Sequence, residues 1–342
     1  MLKAPTTFRE TMLLFGRMNA QFDVPELFAQ VDWSGVTRRQ LTHAFLDRPP
    51  ANAAEAHEEP GFNAQTAALA LFAAPEFRDG IATRLLRGFP AKKRFLFVHL
   101  PKAAGTDFKA AMRQVLPCSD NALGEPELVS QLKLAERLRQ FGRIIQPSDT
   151  IFMGGHISLS WFLDENLFRF GDRMATVVRH PYEICVSMAN YIVHRFDLNP
   201  DLSAPDTRGW AGVLRLTRED IAKMDRQVLA LALVARANIM PVNPICRLLG
   251  DGTAQGTLDT LSRAPIEITS IERYSEWLRQ NWSLDRKQRG NASPQRIAWN
   301  DLSAWQKGQI IEACHEDKIV YEAVMARLSR TDALSVTGPE VA

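Results

Sequence analysis

The chain has 342 residues, 46% of them apolar, and its 41 basic and 39 acidic side chains leave a formal net charge of +2. That length supports one large domain with an appendage, or two domains; the near balance of charge excludes a polyanion-binding field over the whole surface, so no nucleic-acid partner is expected. The four cysteines, Cys118, Cys185, Cys246 and Cys314, stand more than sixty residues apart from one to the next, which excludes a disulfide framework or a CxxC zinc site and points to free thiols in a reducing, cytoplasmic setting with no metal.

The opening stretch, MLKAPTTFRETMLLFGRMNAQ, lacks the apolar core and small-residue cleavage site of a signal peptide. Phe8, Met12, Phe15 and Phe22 recur at roughly helical spacing within 8–30. RPPANAAEAHEEPGF, at 48–62, mixes three prolines with alanine and acid and reads as a linker or long loop. NAQTAALALFAAPEFRDGIATRLLRGF follows as helix with a break at Pro75, which makes 1–90 a helical N-terminal extension. The basic group Arg84, Arg87, Lys92, Lys93 and Arg94 reads as a solvated flank.

From residue 94 the texture changes. RFLFVHL is an almost unbroken apolar run, as in a parallel strand covered on both faces. TIFMGG (150–155) and MATVVR (174–179) are two more strands, and helices are expected over 106–116, 127–142, 181–196, 218–238 and 303–327. Strands alternating with helices predict an α/β domain over 91–330 with a central, mainly parallel sheet and helices on both faces. Residues 331–342 read as a flexible tail. The longest apolar run, VLALALVA at 228–235, has eight residues, well short of the ~20 that span a bilayer. Ile310, Cys314, Asp317, Tyr321 and Val324 follow a 4-3-4-3 spacing, so Asp317 shares an apolar helix face and is expected to pair with an arginine.

The passage FLFVHLPKAAGTDF (95–108) is a strand, a turn of small residues and a helix start. Such a unit suits phosphate: the first N–H groups of a helix lack internal partners, the dipole adds roughly half a positive charge, and small side chains let the backbone approach. Lys102 adds a full charge and Thr106 a hydroxyl donor. The lysine precedes the glycine, so this is not the GxxxxGK[ST] loop of ordinary ATP or GTP sites. The passage resembles the 5′-phosphosulfate loop of carbohydrate sulfotransferases, close to FxHIPKTGGTS, whose donor is 3′-phosphoadenosine 5′-phosphosulfate (PAPS). The resemblance implies that Lys102 contacts the bridging and 5′-phosphate oxygens while Ala103, Ala104, Gly105, Thr106 and Asp107 wrap the phosphate. Ala103 and Ala104 replace the family's Thr-Gly; a hydroxyl is lost, and alanine at 104 is strained if that position needs a positive φ.

VVRHPYEICVSMANY is similar to the family's second signature, an arginine at a strand end and a serine eight residues on, here Arg179 and Ser187. Pro181 suits a first helical turn, and Arg179 could grip a 3′-phosphate with parallel N–H groups, joined by the Ser187 hydroxyl. RKQRGNAS (286–293) resembles the family's late basic loop, which implies 3′-phosphate contacts from Arg286, Lys287 and Arg289. NPICRLLG (243–250) and IERYSEWL (271–278) look like family scaffold, and the likeness spans about 94–325.

Sulfuryl transfer to a hydroxyl needs a base. His99 lies inside a strand, His180 braces a helix start, and His43, His57, His194 and His315 have no motif around them. His156, in FMGGHISLSWF, stands at a strand end, where α/β sheets place ligands, after two glycines that permit a tight turn or close approach of substrate. The stretch resembles HGHVSF of heparan sulfate 2-O-sulfotransferases, whose second histidine is taken as the base, and an imidazole titrates near neutrality. Asp107 or Glu183 is the fallback. The resemblance therefore implies a P-loop-like α/β/α sulfotransferase acting with PAPS on a hydroxyl acceptor, a glycan or glycolipid, in a bacterial cytoplasm. Two alternatives stand beside it: a nucleotide kinase with a degenerate loop, and a non-catalytic nucleotide- or glycan-binding protein, for which the two alanines argue.

Overall fold

The computed structural model describes residues 1–16, 24–77, 80, 84, 93–116, 118–119, 150–156, 158–164, 166–168, 171–234, 242–284 and 294–336. Its strands are β1 (Leu2–Lys3), β2 (Val31–Asp32), β3 (Lys93–Val98), β4 (Cys118–Ser119), β5 (Thr150–Gly155), β6 (Arg173–Val178) and β7 (Ile266–Ser270). β1 and β2 form a small parallel pair. The other five make the central parallel sheet of an α/β fold, in the order β4-β5-β3-β6-β7. The apolar runs behave as their composition requires: Arg94–Val98 of β3 and Met174–Val178 of β6 are each buried at five consecutive positions, the pattern of strands covered on both faces.

The chain divides into two compact units. The first comprises Met1–Phe97, Met112–Ile157 and Trp161–Arg173. Its N-terminal part has a core of its own, in which Phe15, Phe28, Phe45, Phe72 and Phe77 meet with ring centroids 5.6–6.5 Å apart. The helix Phe8–Gly16 is tied to the helix Arg38–Leu46 by the Thr11 hydroxyl, which donates to the Ala44 carbonyl at 2.8 Å. The helix Ala64–Ala73 ends where Pro75 requires, with Ala74 extended at ψ 139°. The 48–62 stretch contains one short helix, Ala53–Ala56, capped by the Asn52 side chain. Arg94 is not part of a solvated flank. It is 1% exposed, donates to the Leu167 carbonyl at 2.6 Å and makes a fork on the Asp172 carboxylate. Arg84 likewise turns inward, its guanidinium donating to the Phe77 carbonyl at 2.6 Å; Arg87 and Lys92 lie outside the described residues.

The second unit comprises Val98–Ala111, Ser158–Ser160 and Met174–Ala342. Its spine is the helix Pro181–Leu198, whose inner face, from Cys185 to Phe196, packs with Leu229, Leu233, Ile310 and Cys314. The expected 218–238 helix is two, Arg218–Lys223 and Arg226–Val234, because the Asp225 carboxylate caps a new start by accepting from the N–H groups of Gln227 and Val228. The 303–327 segment divides at Cys314 into Ala304–Ala313 and His315–Val336, and the second of these carries helix into the first residues of the expected tail. The helix expected over 127–142 lies outside the described residues.

Asp317 is fully buried, but its partners are not an arginine: its two oxygens accept from the N–H groups of Ile245 (2.9 Å) and Cys246 (2.8 Å) at the start of the helix Pro244–Leu249. The unpartnered N–H groups of a helix's first turn satisfy a carboxylate without a cation. Burial nevertheless pushes its pKa up, to about 6. Cys185, Cys246 and Cys314 are buried thiols in no disulfide, and the sulfurs of Cys185 and Cys314 lie 3.5 Å apart. Among the described residues no helix is long and apolar enough to cross a membrane.

Candidate functional site

The turn after β3 is set by three local requirements. Pro101 and Lys102 occupy the centre of a turn closed by the Ala103 N–H on the Leu100 carbonyl at 3.4 Å, with Lys102 left-handed at φ 59°. Ala104 is left-handed as well, φ 60°, and its carbonyl receives the Phe108 N–H at 2.9 Å as the helix Gly105–Met112 begins. The strain expected of alanine at 104 is therefore present, and lysine at 102 adds a second instance, each of about 1–2 kcal/mol. Gly105 is required for a different reason: a Cβ there would stand 1.8 Å from Cδ2 of the buried His99 ring. His99 is thus the floor of the turn. Alternating left-handed residues ahead of a helix start turn successive N–H groups toward one side, the arrangement that makes anion-binding concavities.

The turn is joined to the end of β6 within the same unit. Arg179 Nη1 donates to the Lys102 carbonyl at 3.1 Å, and its Nε donates to Glu183 Oε2 at 3.1 Å, one turn along the helix. The Lys102 ammonium lies 4.1 Å from the centroid of the Tyr191 ring. Arg179, Glu183, Ser187 and Tyr191 follow one another at four-residue spacing, so they form a slowly winding stripe on the helix Pro181–Leu198. Ser187, half-buried, stands between the residue that holds Arg179 and the ring that holds Lys102. Lys102 and Arg179, assigned from two motifs 77 residues apart, are thereby brought together, and Ser187 lies two helical turns beyond Arg179.

The electrostatics match a site short of negative charge. Burial, and then the neighbouring Arg179 charge, lower the Lys102 pKa to about 8. Among the described residues no carboxylate pairs with Lys102, and the one on Arg179, Glu183, is 53% exposed. An anion entering here would meet a guanidinium and an ammonium already held together against their repulsion.

The remaining assignments fall elsewhere. Thr106 and Asp107 lie in the first turn of the helix Gly105–Met112, and Ala103 is 1% exposed, so its methyl is core and only its backbone faces the turn. His156 follows the last residue of β5, is exposed and belongs to the first unit. Gly154 and Gly155 do not form a tight turn. Both are β5 residues, and a Cβ on Gly154 would press to 3.3 Å on the Phe152 ring. His180 carries no side-chain cap and is packed edge-on by Tyr182 and Tyr321. Arg286, Lys287 and Arg289 lie outside the described residues. Among the described residues no cluster of His, Cys, Asp or Glu side chains is placed to hold a metal ion. Sequence reasoning missed Tyr191, although its place two helical steps beyond Glu183 was a usable signal. No family model, curated protein or solved structure matches this chain.

Proposed function

We propose that this protein is a PAPS-dependent sulfotransferase with a P-loop-like three-layer α/β/α domain, acting on a hydroxyl of a glycan or glycolipid. One observation carries the reading. The cations of both motifs, Lys102 and Arg179, meet at a strained turn through a 3.1 Å hydrogen bond from Arg179 to the Lys102 carbonyl; among the described residues no carboxylate pairs with Lys102, and the one on Arg179, Glu183, is half exposed. The sheet order supports it. β3 and β6 are neighbours, and the chain leaves β3 toward β4 at one edge and β6 toward β7 at the other. Adjacent strand ends whose connections diverge are where open α/β sheets bind ligands.

The donor supplies an activated sulfuryl group, whose bond to the 5′-phosphate oxygen breaks as its bond to the acceptor oxygen forms. In this reading Lys102 stabilises the charge that builds on the departing phosphate, and the N–H groups of Ala104, Gly105 and Thr106 share it. Arg179 and Ser187 hold the 3′-phosphate and so fix the nucleotide's register. His156 takes the acceptor's proton. Catalysis is then mostly positioning and electrostatics.

Two measurements test this. A thermal-shift comparison of adenosine 3′,5′-bisphosphate with ATP and magnesium should show selective stabilisation by the bisphosphate, about 2.7 kcal/mol at a hundred times its dissociation constant. Equal or larger stabilisation by ATP would favour the kinase. Labelled PAPS incubated with pooled glycans should transfer label, and His156→Ala should slow that transfer at least ~100-fold; bisphosphate binding with no transfer to any acceptor would favour a binding protein, the reading that the two alanines of the turn support.

A further inference from the structure

An ammonium and a guanidinium on neighbouring residues of a site repel each other, and a flexible lysine would ordinarily swing its charge into water. Lys102 does not. Its backbone is fixed by the left-handed turn and by the Arg179 hydrogen bond on its carbonyl, and its Nζ rests 4.1 Å from the Tyr191 ring centroid. That ring is itself held, edge-on to Trp210 at 6.0 Å and rooted in the helix that carries Ser187. A ring face attracts a cation while offering no lone pair strong enough to compete with an incoming phosphate. A carboxylate in that place would hold the lysine better and spoil the site.

We infer that Tyr191 is a positioning residue, whose ring keeps the Lys102 ammonium at the turn that Arg179 braces until a phosphate group arrives. The inference rests on reading the turn as the donor site, and it deepens that reading by assigning a role to a residue beyond the two signature positions, Arg179 and Ser187, of the second motif. The ring is what matters, and the phenolic hydroxyl is dispensable.

The test uses the full chain and two variants, Tyr191→Leu and Tyr191→Phe, with two readouts. The first is affinity for adenosine 3′,5′-bisphosphate by titration calorimetry. Tyr191→Leu should weaken binding by about 2- to 30-fold, the range a cation–ring contact spans, while Tyr191→Phe stays within about twofold of the parent. The second needs no ligand: the pH dependence of Lys102 acylation, followed by mass spectrometry. Release of the ammonium to water should move its midpoint upward in Tyr191→Leu and leave it in place in Tyr191→Phe. Unchanged affinity and an unmoved midpoint in Tyr191→Leu would overturn the inference, as would tighter binding, which would mean that the ring competes with the ligand. If the parent protein does not bind the bisphosphate, the donor-site reading fails, and the acylation midpoint alone decides the role of Tyr191.

Discussion

Two cations flank the same strand and live in opposite circumstances. Arg94, near the start of β3, has no exposed side-chain surface, and its guanidinium is answered by the Asp172 carboxylate and the Leu167 carbonyl. Lys102, four residues past the end of β3, is answered by a ring face and by a second cation's hydrogen bond to its backbone. Burial alone therefore does not separate structural from functional charge. On the proposed reading, the separation lies in the partners: Arg94 has a carboxylate of its own, and Lys102 has a ring face instead.

The largest effect that would sharpen this contrast is on Arg94. Arg94→Met breaks a buried ion pair by removing one partner and should cost about 3–5 kcal/mol of stability in urea titrations, whereas Lys102→Met should cost little or nothing. Their effects on chemistry should be reversed in kind. In folded protein Lys102→Met should lower sulfuryl transfer by about 10²–10³-fold, the loss expected when one donor to developing charge is removed.

The pH dependence follows from the Lys102 pKa of about 8, below the ordinary 10.5. Between those values the unfolded chain holds the proton more than the folded one, so stability rises with pH through that window. Anion affinity moves the other way. It should fall above about pH 8, by up to about tenfold per unit, and Lys102→Met should flatten both trends.

Asp317 is a second buried group with partners of its own. Asp317→Ala leaves the Ile245 and Cys246 N–H groups without their acceptor, at about 1–3 kcal/mol for each. Its pKa is raised to about 6, so the parent should lose stability as pH rises from the ordinary 3.8 through 6. The smallest effect belongs to the turn. Ala104→Gly relieves a left-handed alanine at an entropic cost and should gain about 1 kcal/mol or less in a denaturation midpoint, with bisphosphate affinity unchanged.

Much of the sheet was legible because β3, β5 and β6 are dense apolar runs. β7 was not: IEITS is half-buried over its first three residues and alternates with a carboxylate, so it lacks the signature of a doubly covered strand. The two helix divisions escaped for a shared reason. Asp225 and Cys314 both sit inside continuous helical periodicity, and only the backbone and capping geometry around them reveals the break. Of the candidate site, the meeting of Lys102 and Arg179 was legible in their types and their places after two strands. Tyr191 was passed over, since an aromatic on a helix is ordinarily packing, although its four-residue spacing from Ser187 put it on the same stripe. Gly105 suggests, as a small residue, room for the backbone to approach a phosphate, and its steric reason is the His99 ring behind it.

The account depends on Lys102 and Arg179 serving one ligand. A double-mutant cycle on adenosine 3′,5′-bisphosphate affinity, with Lys102→Met, Arg179→Met and the pair, tests it most directly. Each single change should weaken binding at least about tenfold, and the pair should depart from additivity by about 0.5–3 kcal/mol. Bisphosphate affinity unmoved by either substitution would contradict the account.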